Sequence, residues 1–322
     1  MDVFQTFADI PAAGSATAFF AVPLSERRRD FVAKAMDGSP IFLLHDAGPI
    51  SYSPSIELKN VSAQFHVTCQ VTTEKGAIED QFAVVSCGAA VPELYELFVR
   101  CFSAAVEQLP VVAMTNSLRG CVQELLDLFR TLSFPNNREV IGLWAELYVI
   151  SVCKDIAQAL RAWHADGYER FDFSSTKGCL EVKATVKEQR THEFALEQLR
   201  SPHNGRGRVA SLLLQPMTGG VGVMDLARSI ESAAVGEPLL RQKLWKNVAD
   251  ALGSDFSDRL DRRFDPYYAE RHLIVLAMGD IPAPVAPSDP RVTEIRFRAD
   301  LASVESSASD SPSDILGHLF AY

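Results

Sequence analysis

Asp172 stands nine residues before the run Glu181-Val182-Lys183, and the text between them fixes how the two can meet. Phe171-Asp172-Phe173 is followed by the polar stretch Ser174-Ser175-Thr176-Lys177-Gly178, then by Cys179-Leu180-Glu181-Val182-Lys183-Ala184. Both flanks read as short strands, with Lys177-Gly178 as the turn between them. Alternation along a strand sends Glu181 and Lys183 to one face and Leu180, Val182 and Ala184 to the other. Folding the hairpin brings Asp172 opposite that polar face. Two carboxylates and an ammonium then converge at one end of a small sheet. Carboxylate oxygens are hard ligands suited to Mg2+, and a lysine beside such a metal can position or help deprotonate an attacking water. That is the makeup of a metal-dependent phosphodiesterase. The same residues also suit a solvated ion-pair ladder, each pair worth about 0.2–1 kcal/mol.

The neighbouring text adds a third acid. After Pro135, Asn136 or Asn137 can cap a helix, and Glu139 stands in capping-box spacing from Asn136. The helix predicted over Glu139–Cys153 is mostly apolar and therefore buried, with Glu146 as the exception among Gly142, Val149 and Ile150. An isolated buried carboxylate costs several kcal/mol, so Glu146 must be paired, protonated or directed at a metal. A salt bridge to an arginine is the structural alternative.

Strands and helices alternate from here on, which predicts a mixed central sheet flanked by helices. Arg190–Leu196 reads as a strand with His192, Phe194 and Leu196 on one face. A helical turn opens at Glu197-Gln198-Leu199-Arg200, and Arg208–Gln215 is an apolar run suited to a strand buried on both faces. Gly219-Gly220 is read as a turn into a helix over Met224–Ala234, and a second helix follows over Leu239–Leu252. Arg271–Met278 and Thr293–Arg298 are later strands. The preceding part is β-rich, with strands over Ile41–His45, Ile56–Lys59, Val61–Val71 and Ile78–Val85, then helices over Glu93–Gln108 and Ser117–Thr131. The organisation expected is a β-rich region over 1–115, ending in a helix, and an α/β core over 116–322.

A net charge of −10 argues against a general polyanion binder, so any nucleic-acid contact must come from a local patch. The best one is Arg190, Arg200, His203, Arg206 and Arg208, just downstream of the hairpin and close to Lys183 and Lys187. Its alternative reading is a solvated loop. The cluster Glu26-Arg27-Arg28-Arg29 reads as a helix face. Six cysteines without C-x-x-C spacing argue against zinc and disulfide frameworks and for reduced core residues. Asp2 and Asp9 and the lack of a basic n-region do not fit a signal peptide, and the uncharged Ile10–Leu24 is too short to span a membrane. The expected compartment is the cytoplasm.

Taken in order, Ile141-Gly142-Leu143-x-x-Glu146-Leu147, Trp163, Asp172-Phe173, Leu180-Glu181-Val182-Lys183-Ala184-Thr185, His192 and Gln198-Leu199 resemble the PD-(D/E)XK nuclease superfamily. Within it, they look closest to the bacterial PD-(D/E)XK motif proteins found near restriction and phage-defence genes. Phe171 stands where proline is usual, and Trp144-Ala145 where a small residue often precedes the helix glutamate. The resemblance implies a restriction-endonuclease-like fold and Mg2+-dependent hydrolysis of DNA, with Mn2+ as a substitute. It implies that Asp172, Glu181 and the Val182 carbonyl hold the metal, with Glu146 binding directly or through water. Lys183 would orient the hydrolytic water and steady charge on the phosphorane, and Gln198 would support that lysine or the water. His192 and the nearby arginines Arg190, Arg200, Arg206 and Arg208 are candidates for nucleic-acid contact, with a sheet-surface histidine as the other reading of His192. A non-catalytic or partner-activated subunit of a defence complex, served by an ATPase or methyltransferase, is the alternative function.

Overall fold

The computed structural model describes residues 2–15, 18–58, 61–73, 76–88, 93–131, 140–164, 169–199, 206–252, 262–285, 289, 291, 294–304 and 311–320. The chain forms two compact units, Met1–Phe134 and Pro135–Tyr322.

The first unit opens with helix α1 (Val3–Asp9), whose first turn is capped by Asp2, an Oδ1 accepting from the Phe4 and Gln5 amides. Its sheet is antiparallel throughout, in the order β1 (Ala21–Pro23), β2 (Phe31–Lys34), β3 (Pro40–His45), β6 (Gly76–Cys87), β5 (Val61–Thr73), β4 (Ile56–Glu57). On one face Phe31, Leu43 and Phe82 pack together. On the other, Phe42 meets Phe98 and Phe102 of α2 (Glu93–Val106) edge-on. Helix α3 (Thr115–Thr131) packs on β5, β6 and α2 within this unit. The Arg27-Arg28-Arg29 cluster is not helical. Arg28 is buried in a pair with Asp30 and donates to the carbonyls of Pro110 and Val111, while Arg27 donates to that of Glu107. Those guanidiniums tie off the chain after α2.

The second unit begins with α4 (Val140–Val152), apolar all round and buried as its composition demands. The capping residues assigned to its start lie outside the described residues. Helix α5 (Ile156–Ala162), capped by Asp155, leads to the hairpin of β7 (Phe173–Ser174) and β8 (Cys179–Thr185). Next come β9 (Thr191–Ala195), a 3-10 turn (Leu196–Leu199), β10 (Gly207–Leu213) and β11 (Pro216–Gly222). Helices α6 (Val223–Ala233) and α7 (Pro238–Leu252), strand β12 (Arg263–Phe264), helix α8 (Pro266–His272), β13 (Ile274–Ala277), β14 (Arg296–Asp300) and α9 (Pro312–Phe320) complete it. The central sheet is mixed, in the order β13-β10-β8-β7, with β8 and β10 parallel and the outer pairs antiparallel. β9 and β14 form a separate antiparallel ribbon whose inner residues Phe194, Ala299 and Phe297 pack with Val209, Leu276 and Met278.

Two local readings of the sequence change. Gly219 and Gly220 lie inside β11, where a Cβ on Gly220 would sit 2.3 Å from the Phe264 carbonyl oxygen. That glycine serves close strand approach and not a turn. Arg271 and His272 end α8 instead of starting a strand, because Asp265 caps the Tyr267 amide and Pro266 occupies the first turn.

Candidate active site

The hairpin turn is built by Ser175, whose amide donates to the Gly178 carbonyl at 2.8 Å and whose Oγ accepts from the Lys177 amide at 3.1 Å. Gly178 is required there: a Cβ would stand 2.3 Å from the Arg206 carbonyl oxygen. The register Phe173↔Leu180 and Ser174↔Cys179, carried back one step, sets Asp172 across from Glu181. Asp172 lies just before β7, and its Oδ2 accepts from the Val182 main-chain N–H at 2.7 Å. The carboxylate is thus fastened to the strand that carries Glu181 and Lys183.

Glu181 is buried, and its Oε1 lies 2.8 Å from Lys183 Nζ. The same oxygen accepts from Gln198 Nε2 at 2.6 Å. Gln198 arrives on the 3-10 turn after β9, its own Oε1 accepting from the Ala195 amide at 3.1 Å and facing Lys183 Nζ at 3.5 Å. The Lys183 ammonium also lies 5.4 Å from the centre of the Phe194 ring, a cation–π contact. Four of the five residues singled out as catalytic, Asp172, Glu181, Lys183 and Gln198, therefore come together.

Glu146 joins through intermediaries. Its buried Oε2 accepts from Trp163 Nε1 at 2.7 Å and lies 3.2 Å from His164 Nε2. The His164 amide in turn donates to the Asp172 carbonyl at 2.9 Å. Sequence reasoning included Trp163 in a pattern without giving it a role, and it missed His164. The signal was the buried glutamate itself, which needed donors.

As metal ligands, Asp172 and Glu181 present carboxylates from directly opposed positions of the hairpin, a donor chemistry that fits a hard divalent cation. Among the described residues, no three His, Cys, Asp or Glu side chains are gathered as ligands for one ion. The carboxylate of Glu146 is engaged by Trp163 and His164.

The candidates for nucleic-acid contact divide. Arg190 is buried, donating to the Ser211 carbonyl at 2.7 Å, to Ser211 Oγ at 2.9 Å and to the His272 carbonyl at 2.7 Å. His192 is buried against the same hydroxyl at 2.7 Å, and burial, helped by the charges of Arg190 and Lys183, pushes its pKa down to about 4. Ser211 Oγ thus accepts from Arg190 and stays in hydrogen-bond contact with the neutral imidazole. Both residues are interior clamps on β10, out of reach of a phosphate backbone, and this corrects the expectation for them. Arg206 is exposed and Arg208 half-buried beside the Gly178 turn, and Arg200 lies outside the described residues.

Among the described residues no helix is long and apolar enough to cross a membrane. No curated protein and no solved structure matches the chain. The model of the family described as "Putative PD-(D/E)XK family member, (DUF4420)" matches residues 51–302, a span that includes Glu146, the hairpin, Gln198 and β14, and the chain belongs to this family.

Proposed function

We propose that this protein is a metal-dependent DNA endonuclease that hydrolyses phosphodiester bonds, acting in a bacterial restriction or anti-phage system. The observation that carries the reading is the joint contact of Lys183 and Gln198 with one Glu181 oxygen, beside an Asp172 fastened to Val182. Membership of a PD-(D/E)XK family, a superfamily in which nuclease activity is the rule, agrees with it, as does a mixed central sheet with α4 packed on β8. Together they support a restriction-endonuclease-like arrangement.

In this reading Asp172, Glu181 and the Val182 carbonyl hold Mg2+, or Mn2+ in its place, with Glu146 acting directly or through water. A cation bound there supplies Lewis acidity and lowers the pKa of a water. Lys183 orients the attacking water and offers positive charge to the phosphoryl oxygens as negative charge builds on them. Gln198 fixes the lysine and the Glu181 carboxylate by bonding both. Of the candidate arginines, exposed Arg206 and half-buried Arg208 would meet the DNA backbone.

The burial of Arg190 and His192 favours a version in which a protein partner, of ATPase or methyltransferase type, helps deliver DNA. The test is incubation of the full chain with plasmid DNA and Mg2+ or Mn2+, beside Asp172→Ala and Lys183→Ala. Nicking removed by both substitutions supports the reading. Nicking that survives both refutes the assigned site, and an inert wild-type chain favours the partner-activated version.

A further inference from the structure

We infer that His164 is a positioning residue of the proposed nuclease site, coupling the helix carboxylate Glu146 to the hairpin carboxylate Asp172, and that α7 holds it in place; the inference rests on the metal-site reading above. His164 is buried, and three of its groups are spoken for in three directions. Its imidazole Nε2 lies 3.2 Å from Glu146 Oε2, its amide donates to the Asp172 carbonyl at 2.9 Å, and its carbonyl accepts from Asn247 Nδ2 at 2.7 Å. Trp163, one residue before, donates its indole N–H to the same Glu146 oxygen and bridges Phe173 of β7. A shift of this dipeptide would move the side chain of one acid and the main chain of the other together.

The brace comes from far along the chain. Lys243, Asn247 and Asp250 follow i, i+4, i+7 spacing, which puts them on one stripe of α7. Lys243 Nζ donates to the carbonyls of Arg161 and Trp163. Asn247 is buried and takes the His164 carbonyl, and Asp250 lies close enough to His164 to interact with it electrostatically. Beside that stripe, Leu244, Trp245, Val248 and Leu252 form an apolar, buried side of α7. A polar stripe on such a helix costs burial energy unless satisfied, and here it is spent on the segment that holds both acids. Residues that orient metal-binding carboxylates commonly change metal affinity or activity about 10–100-fold when removed.

The experiment is Mn2+ titration of the full-length chain by electron paramagnetic resonance, beside plasmid nicking and thermal melting. The proteins are wild type, Asp172→Ala, His164→Ala, His164→Gln and Asn247→Ala. Glutamine keeps an N–H donor near the position of Nε2 and should retain most of the affinity. His164→Ala should weaken Mn2+ binding about tenfold or more and raise the Mn2+ needed for half-maximal nicking. Asn247→Ala should act in the same direction and carries the test if His164→Ala does not fold. Wild-type affinity in both His164→Ala and Asn247→Ala, with binding lost in Asp172→Ala, overturns the inference and leaves the nuclease site standing. Equal loss in His164→Gln and His164→Ala overturns the donor role of the imidazole. A wild-type chain that neither binds Mn2+ nor nicks DNA overturns both readings.

Discussion

Lys183 Nζ and Glu181 Oε1 stand 2.8 Å apart on one face of β8, the carboxylate buried and the ammonium side chain 20% exposed. The lysine is therefore the charge partner of a buried acid as well as a group aimed at water. Removing one member of such a pair leaves the other desolvated and under-compensated.

Lys183→Ala should accordingly do two separable things. Nicking should fall by at least about 100-fold, and stability in urea should fall by about 1–3 kcal/mol. The double variant Lys183→Ala/Glu181→Gln removes the stranded charge and should recover stability without recovering activity. Unfolding curves and nicking assays on the three proteins check this. Nicking restored in the double variant would mean that the lysine only neutralises Glu181.

Gln198 uses both ends of its amide, donating to Glu181 and accepting from the Ala195 amide. Gln198→Ala should cost about 10–100-fold in activity or metal affinity. Gln198→Glu should be worse, because it replaces a donor by a second carboxylate facing Glu181. The measurement is the Mg2+ concentration giving half-maximal nicking. An unchanged value in both variants would reduce Gln198 to a structural role in the 3-10 turn.

His192 gives a pH-dependent test of the corrected assignment. Folding lowers its pKa from 6.5 to about 4, chiefly by burial. Between those values the unfolded chain binds a proton that the native chain refuses, so stability falls as pH drops from 6.5 towards 4 and this contribution is flat outside the window. The whole span is worth roughly 3 kcal/mol. Urea unfolding at pH 4.5, 5.5 and 7 should show a shallower loss in His192→Gln than in wild type. Parallel curves would place His192 in solvent after all.

The hairpin was legible in sequence because its signals are local. Turn residues, two-residue alternation and the Lys177-Gly178 pair determine β7, β8 and the opposition of Asp172 and Glu181 without help from distant chain. Gln198 as a site residue came from the family resemblance, and the local sequence marked only the helical turn that carries it. Arg190 and His192 were misplaced for the opposite reason. Whether an arginine beside the hairpin meets a phosphate or a carbonyl depends on β10 and α8, which supply Ser211 and the His272 carbonyl from 21 and 82 residues away. Glu146 shows both sides: its burial and need for donors were readable from α4 alone, whereas Trp163 and His164 as the donors were not. The Asn247 contact was out of reach too, since an asparagine on the polar stripe of a helix does not say which carbonyl it meets.

The pairing of Asp172 with Glu181 leads to a test that needs no DNA. Two carboxylates directly opposed across a hairpin repel each other, and a divalent cation bound between them stabilises the native state by RT ln(1 + [L]/Kd). At free Mg2+ about 100 times Kd this is about 2.7 kcal/mol, or roughly 5–10 °C in melting temperature for a unit of this size. Wild type should show that rise over a NaCl control of equal ionic strength, and EDTA should reverse it. Asp172→Ala should melt at the same temperature with and without Mg2+. Glu146→Gln should show a reduced rise, because its carboxylate reaches the site by way of Trp163 and His164 and not through the hairpin. A full rise in Asp172→Ala would locate the cation elsewhere and remove the chemical basis of the proposed site.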